Sequence, residues 1–430
     1  MASLNASIAS ECLQLKNYVA SYASTRAYAG AFECFYIALG NKNPDFLPSD
    51  ETSRRYFDLW DKAGEELPDA AAAADAYLWC AAVSFDLGLL FDSTSPLNFF
   101  LSILYPNLLM NISHTFCDMY ADEETTRKNQ EIFQSLRSTL SERIERSDWM
   151  TPYSKARAME KVNAMQCHHG IFDWSKYEAD MPVSSDICSA MHEIGISYVT
   201  KMMSYSGENK DLDHIVASLY LTPATGIPAY APNSFYIRNC NAMCILPSTS
   251  ILTDMNPELP FQTFVIAHEI CHGFDSEGSR YNANGEFGDW WSIDDKLEFK
   301  KKQNQLIDAF NQYYIGGSTF CNGAKTIDED MADLGGLEIS WYNALKSLSI
   351  KYDGAELEDM KRRFFKTYAL LWAQYKTLEE KIKSVGNDEH SAYEYRVNGI
   401  VNNIDDWYSL FDVTPQSRFY LSADRRVHLW

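Results

Sequence analysis

Basic residues are scarce in this sequence of 430 residues. Lysine and arginine number 37 against 59 aspartates and glutamates, which gives a formal net charge of −22 at pH 7. A surface with this balance repels phosphate backbones and anionic lipid surfaces. The composition therefore argues against nucleic acid as a partner.

Long apolar runs are missing as well. Met1–Gly30 has neither a basic start nor a continuous apolar stretch, so no signal peptide is legible. The most apolar window, Leu97–Met110, is short and is broken by Pro106 and Asn107, whereas a membrane helix needs about 20 apolar residues. We expect a soluble chain without a transmembrane segment.

The cysteines lack the spacing of a compact disulfide framework. Ten of them are spread from Cys12 to Cys321. This scatter leaves the cellular compartment open, and the sequence does not indicate an oligomeric state.

The length of the chain predicts two lobes, because 430 residues exceed one ordinary hydrophobic core. The first half indicates helices. Ala70–Phe91 is rich in alanine and leucine, and Asp122–Ser147 has apolar residues at helical spacing. Thr151 and Pro152 are typical of the cap and the first turn of a further helix.

The segment Phe264–Asp275 contains the pattern H-E-x-x-H in His268, Glu269 and His272. On a helix the two histidines are four residues apart and share one face, so both can bind one metal ion with Glu269 beside it. The alternative is a buried amphipathic helix whose histidines satisfy neighbouring polar groups.

A zinc site of this type needs a third protein ligand and leaves the fourth position to water. The metzincin spacing fails, because Asp275 and Gly278 stand where glycine and histidine are required. Further along the chain, Glu329 and Asp333 are four residues apart. One helix face can therefore offer Glu329 to the metal and Asp333 to a ligating histidine. A solvated acidic face is the alternative.

Strand character appears shortly before the H-E-x-x-H segment, in Ser234–Arg238 and Ala242–Leu246, with a turn between them. An edge strand beside a metal site can pair its free backbone groups with an extended peptide. A hairpin that is packed for stability only is the alternative.

Four motifs in this order resemble the neprilysin-type (M13) zinc metallopeptidases, and the similarity runs from about Leu78 to about Phe411. The zinc helix reads V-I-x-H-E-x-x-H-G-F-D, and the acidic helix reads E-x-x-x-D-x-G-G-L. The third motif is D-x-H at Asp388–His390, followed by R-x-x-G at Arg396–Gly399. The fourth, Asn233–Tyr236, is similar to the family's substrate-binding edge strand. Compared with family members, the chain looks N-terminally shortened.

The resemblance implies a mainly α (α+β) fold. We expect a thermolysin-like gluzincin catalytic lobe with a small edge-strand sheet, and in addition a helical lid lobe. The lid lobe is expected over residues 1–175 and the catalytic lobe over residues 176–430.

The resemblance also implies one zinc ion per chain, bound by His268, His272 and Glu329. Zinc lowers the pKa of its bound water to about 7, which makes a nucleophile available at neutral pH. Glu269 is expected to act as the general base that takes the proton from this water and passes it to the leaving amine.

The remaining site residues follow from the same resemblance. Asp333 is expected to orient a ligating imidazole, and His390 to stabilise the oxyanion as the carbonyl is attacked. Arg396 is expected to hold a substrate carbonyl. Asn233 and Ser234, at the edge strand, are expected to bind the peptide backbone.

The favoured hypothesis is a zinc endopeptidase that cleaves oligopeptides on the amino side of apolar residues, a specificity that the resemblance implies. The alternative is a non-catalytic or incomplete family member that binds peptides without turnover. Family members are mostly membrane-anchored or secreted ectoenzymes, whereas this sequence shows neither signal peptide nor anchor.

Overall fold

A computed structural model describes residues 121–177, 212–221, 233–249, 261–374 and 376–430, together with Met110 and scattered residues within 113–118, 180–200 and 227–231.

Helices dominate the described part of the chain, which agrees with the predicted mainly α fold. The principal helices are α1 Glu123–Arg146, α2 Pro152–Ala164, α3 Leu212–Leu221, α4 Phe261–Cys271, α5 Ile293–Phe310, α6 Gly323–Lys351, α7 Gly354–Leu371, α8 Leu378–Asn387, α9 Tyr393–Val401 and α10 Asp405–Leu410. The strands are short: β1 Gln166–His168, β2 Ser234–Ile237, β3 Ala242–Ile245, β4 Tyr314–Gly316 and β5 Thr319–Phe320.

Two of the predicted helices can be compared with the structure, and both are confirmed. The apolar spacing over Asp122–Ser147 corresponds to α1, whose Leu136, Leu140 and Ile144 are fully buried. The side chain of Thr151 accepts a hydrogen bond from the backbone N–H of Ser154 and so caps α2. The predicted helix over residues 70–91 lies outside the described residues.

The two predicted strands are also confirmed, as β2 and β3. They are joined by the 3-10 turn Arg238–Cys240 and by Asn241, which has a φ of 48°. Asparagine tolerates this left-handed conformation better than most residues do. The strand order β1-β3-β2 places β2 at an edge of the described sheet.

Packing divides the chain into two compact units. One unit consists of Arg127–Cys167, Ser234–Cys244 and Asn256–Trp430. The described residues of the other unit lie in the segments before and between these three. This division does not follow the expected lobes, and the boundary at residue 175 stays a prediction.

Residues 127–167 belong to the same unit as the C-terminal half because side chains on α1 and α2 bond to it directly. The hydroxyl of Ser135 donates to Asn343 Oδ1 at 2.8 Å. The ammonium group of Lys161, which is fully buried, donates to the carbonyl oxygens of Gly278 at 2.7 Å and Tyr281 at 2.6 Å. Lys161 thereby fixes the backbone that follows α4.

Helices α4 and α6 approach each other at two glycines of α6. A Cβ atom at Gly336 would lie 2.9 Å from the backbone N of His268 and 3.0 Å from its Cα, and one at Gly335 would lie 2.9 Å from Cys271 Sγ. Packed carbon atoms prefer about 3.5–4.0 Å, so only glycine fits. The close approach sets the reach of side chains from one helix to the other.

An aromatic cluster stabilises the same helix pair from the side of α7. Phe264 of α4 meets Phe364 and Tyr368 edge to face, with ring centroids 5.0 and 5.2 Å apart. Trp341 of α6 lies against Phe364 and Phe365 at 5.0 and 4.8 Å. Such aromatic pairs contribute about 0.5–1.5 kcal/mol each beyond the burial of their area.

No described helix combines the length and the apolar character that a membrane span requires.

We predict that Gly336→Ala lowers the free energy of unfolding by about 1–3 kcal/mol, because the added methyl group forces α4 and α6 apart. Zinc affinity should fall as well. Denaturant titration and chelator competition measure the two effects. Gly386→Ala on α8 is the matched control, since its methyl group meets nothing within 4 Å and alanine favours a helix by about 1 kcal/mol. Equal destabilisation by both variants would contradict the role of the close approach.

Candidate metal centre

The end of helix α4 brings the imidazoles of His268 and of His272, the residue that follows the helix, together. Their Nε2 atoms are 3.0 Å apart, and each residue is only 8% exposed. The carboxylate of Glu329 reaches both from α6: its Oε2 lies 3.2 Å from His268 Nε2, and its Oε1 lies 3.6 Å from His272 Nε2. Among the described residues, this is the one group of three that could hold a metal ion.

The donor set fits zinc. Two imidazole nitrogens and one carboxylate oxygen are the ligands of many catalytic zinc sites, which keep a further position open. Oε2 of Glu329 is buried without a hydrogen bond of acceptable geometry, although nitrogen atoms lie close to it. A cation at the centre of the three residues would satisfy this oxygen.

Each of the two histidines has a carboxylate at its other ring nitrogen. Asp333, on α6, lies 2.9 Å from His268 Nδ1, as the sequence predicts for this residue. Asp275, just after α4, lies 2.7 Å from His272 Nδ1. A carboxylate at Nδ1 fixes the tautomer and the orientation of a ligating imidazole.

The sequence analysis does not predict that Asp275 orients the imidazole of His272. The residue is fully buried, and its Oδ1 accepts hydrogen bonds from the backbone N–H groups of Glu277 and Gly278. Arg238 Nη2 lies 3.7 Å from the other oxygen. The sequence offers one signal for this role, which is the spacing. Asp275 follows His272 by three residues, so its side chain can reach back to the imidazole.

Glu269 lies on α4 beside the metal ligands and is 6% exposed. Burial raises the pKa of its carboxyl group above the ordinary value, and the nearby His272 and His268 oppose this only in part. A carboxylate with a raised pKa is a better proton acceptor near neutral pH than an exposed one.

The pKa of Glu329 shifts in the opposite direction. Burial raises its pKa, but the adjacent His268 and His390 and the charge of His272 outweigh burial and hold the pKa well below its usual range. Its carboxylate therefore stays ionised, which a metal ligand requires.

Arg396 is held by Asp333. The Nε and Nη2 groups donate to the two carboxylate oxygens at 2.7 and 2.8 Å, and the residue is 3% exposed. Its guanidinium carbon lies 3.5 Å from the centroid of the Trp372 ring. Two of the Arg396 donors are thus committed to Asp333, and its predicted contact with a substrate carbonyl stays a prediction.

His390 meets the centre from the segment before α9. Its Nε2 lies 3.1 Å from Glu329 Oε2, and its Nδ1 lies 2.9 Å from Asp388 Oδ1. Burial lowers the pKa of His390, but Glu329 and Asp388 together raise it above the ordinary value. A protonated imidazole can donate from Nε2 while Nδ1 is held by Asp388.

Asn233 and Ser234 stand where β2 begins. Asn233 is exposed, and its carbonyl oxygen accepts hydrogen bonds from the Leu246 N–H at 3.3 Å and the Thr249 hydroxyl at 2.7 Å. Ser234 is buried at the start of the edge strand. Their expected part in binding a peptide backbone stays a prediction.

Comparison with known families supports a common origin for these residues. The model of peptidase family M13 matches residues 230–427, and a second model of the same family matches residues 102–172. The first match contains all the proposed metal ligands, Glu269 and His390.

Curated relatives agree. The neutral endopeptidase of Lactobacillus helveticus is 26% identical over 312 residues, which are 72% of this chain and 46% of that protein. Neprilysin-2 of Caenorhabditis elegans is 25% identical over 334 residues, 75% of this chain and 45% of that protein. The chain therefore spans about half the length of the curated relatives it matches.

Solved structures show the same fold. A crystal structure of a zinc metalloprotease from Mycobacterium tuberculosis aligns with a TM-score of 0.65 at 24% identity, over 84% of this chain and 55% of that one. This likeness confirms the predicted mainly α, gluzincin-type fold.

Asp275→Asn should lower zinc affinity about 10- to 100-fold, the usual effect of losing a residue that orients a ligating histidine. Asparagine keeps an oxygen for the backbone N–H groups, so the loop should persist while the charge facing His272 is lost. Competition with a chelator measures the affinity. Asp289→Asn, at a side chain that is 76% exposed, should leave it unchanged; an equal loss in both variants would refute the assignment.

Zinc uptake should release protons. In the metal-free chain burial lowers the pKa of His268, but Asp333 and Glu329 outweigh it and raise the pKa from 6.5 to about 10. The proton on His268 thus stabilises the metal-free fold below about pH 6.5, and this stabilisation is lost as the pH rises towards about 10. A metal-bound imidazole is neutral. Calorimetric titration at pH 8 should therefore give heats that depend on the ionisation enthalpy of the buffer, and identical heats in all buffers would contradict this.

Proposed function

Because the chain belongs to peptidase family M13, we propose that it is a zinc-dependent metalloendopeptidase that hydrolyses oligopeptides. The convergence of two imidazoles and one carboxylate beside a buried glutamate supports the proposal most directly. The names of the relatives, neutral endopeptidase and neprilysin, point to the same activity.

His268, His272 and Glu329 would hold a zinc ion, which when bound would supply an acidified water and polarise the carbonyl that is attacked. Asp333 and Asp275 hold the two imidazoles so that their Nε2 atoms face one point. The negative charge of Glu329 favours a cation at that point.

In the proposed reaction Glu269 moves the protons. Its carboxylate accepts a proton from the attacking water and delivers it to the nitrogen of the leaving amine. Its burial supports this role, because the raised pKa brings the protonated and ionised forms closer in free energy near neutral pH.

His390 is proposed to face the oxyanion, and Arg396 is proposed to hold a substrate carbonyl. The Nε2 group of His390 is the donor in question, and Asp388 holds the other ring nitrogen so that Nε2 points towards Glu329. Nε and one N–H of Nη2 donate to Asp333, and Nη1 is the group of Arg396 proposed to hold the substrate carbonyl.

The substrate is proposed to bind as an extended strand. β2 lies at an edge of the described sheet and packs against α4. Backbone pairing with a sheet edge tolerates many sequences, while Asn233 and Ser234 offer polar groups at its start. Cleavage on the amino side of apolar residues is the proposed specificity, on the basis of family membership.

Glu269→Gln should abolish most peptide hydrolysis and leave zinc in place. We expect a loss of about 10²–10⁴-fold in kcat, the usual contribution of a general base, with one zinc still bound per chain. Hydrolysis of short apolar peptides and metal analysis measure the two properties. Glu356→Gln, at an exposed position on α7, should change neither.

The alternative hypothesis, a protein that binds peptides without turnover, predicts a different result for the unaltered chain. In that case the unaltered chain would hold zinc and bind peptides but hydrolyse no member of a peptide library.

A further inference from the structure

A chain of buried hydroxyl and carboxyl groups joins the segment that carries His390 to helix α6. Ser391 Oγ donates to Thr326 Oγ1 at 3.0 Å, and Thr326 Oγ1 donates to Asp330 Oδ2 at 2.7 Å. All three residues are at most 5% exposed. We propose that this chain positions His390 at the reacting carbonyl, an inference that rests on the proposed function.

The hydrogen bonds run in one direction. A hydroxyl group has a single proton to donate, so Thr326, whose proton goes to Asp330, receives the proton of Ser391 on its lone pair. The carbonyl oxygen of Asn322, at 3.2 Å, is a longer alternative acceptor for Thr326. Ser391 also approaches Asp330, so both hydroxyl groups share this carboxyl group. Loss of the Thr326 hydroxyl removes the donor to Asp330 at 2.7 Å and the acceptor for Ser391 at 3.0 Å.

Thr326 connects His390 with the ligand helix. It precedes Glu329 by three residues, about one turn of α6, and Ser391 follows His390 directly. The link thus ties the backbone beside His390 to the helix that presents Glu329. The distance of 3.1 Å between His390 Nε2 and Glu329 Oε2 depends on this tie.

The contact of His390 with Asp388 cannot replace the link to α6 through Ser391 and Thr326. Asp388 Oδ1 accepts from the backbone N–H of His390 at 3.0 Å and lies 2.9 Å from its Nδ1. Both contacts join residues two positions apart, so they shape the segment locally. They do not fix the segment with respect to α6.

Packing on the outer side of the segment is incomplete. An open cleft borders it, and Thr326, Asp388, His390 and Ser391 are among its lining residues. The side chain of His390 is 44% exposed. Ser391 and Thr326 are buried beneath this cleft, so the hydrogen bond between them is shielded from water while the His390 side chain stays accessible.

Thr326→Val and Thr326→Ser test the proposal as a pair. Valine keeps the shape and removes the hydroxyl, whereas serine keeps the hydroxyl. We expect Thr326→Val to lower kcat at least tenfold, with KM within about twofold and one zinc per chain, since the missing oxyanion donor acts mainly in the transition state. Thr326→Ser should restore kcat to within about threefold of the unaltered enzyme. Equal kcat values in both variants would overturn the proposal.

A second comparison asks whether Thr326 acts through His390. On a His390→Ala background, Thr326→Val should cause no further loss of kcat, because the group that it positions is already absent. A further tenfold loss on that background would mean that Thr326 acts on something else, and would overturn the proposal.

Amide hydrogen exchange tests the tie without turnover. Residues 388–392 should exchange at least tenfold faster in Thr326→Val than in Thr326→Ser or the unaltered chain. Equal exchange in all three proteins would overturn the inference. Absence of hydrolysis by the unaltered, zinc-loaded chain would refute the proposed function instead, and the exchange experiment would still decide whether the tie exists.

Discussion

The carboxylate of Asp333 is the contact on which the rest of the centre depends. It lies 2.9 Å from His268 Nδ1 and accepts two hydrogen bonds from Arg396, so α4, α6 and α9 meet at one side chain that is 2% exposed. Burial raises its pKa, but Arg396 and His268 hold it below the ordinary value. Removal of Arg396 would leave a buried charge without its partner, which typically costs about 3–5 kcal/mol. The same ion pair therefore orients a metal ligand and joins three helices.

This arrangement is possible because α6 lies unusually close to α4. Glu329 and Asp333 are four residues apart, about 6 Å along the helix. They meet opposite nitrogens of the same imidazole: Glu329 meets Nε2 and Asp333 meets Nδ1 of His268. Both carboxylates reach the ring only if the two backbones nearly touch, and Gly335 and Gly336 allow this. The small residues after the acidic pair are thus part of the geometry of the metal centre.

The sequence predicts whatever depends on spacing within one element. The four-residue intervals of His268 with His272 and of Glu329 with Asp333, the helix α1, and strands β2 and β3 all belong to this class. Contacts between segments that are distant in the sequence could not be predicted from such spacing. The guanidinium group of Arg396 can donate to a substrate carbonyl as well as to a carboxylate. Only the fold shows that it donates to Asp333. The role of Asp275 is not predicted, because its spacing of three residues from His272 fits a turn residue as well as an orienting residue.

The division of labour between Glu269 and Glu329 follows from their neighbours. Both are glutamates at the same centre, and burial raises the pKa of each. In the metal-free chain Glu329 faces His268 and His390 directly, and their protonated forms more than reverse the effect of burial on its pKa. For Glu269 the charges of His272, His268 and Arg396 offset burial only in part, so its pKa stays raised. Two groups whose environments push their pKa values apart are suited to different tasks: the one that stays ionised can hold a cation, and the one nearer to neutrality can take up and release a proton.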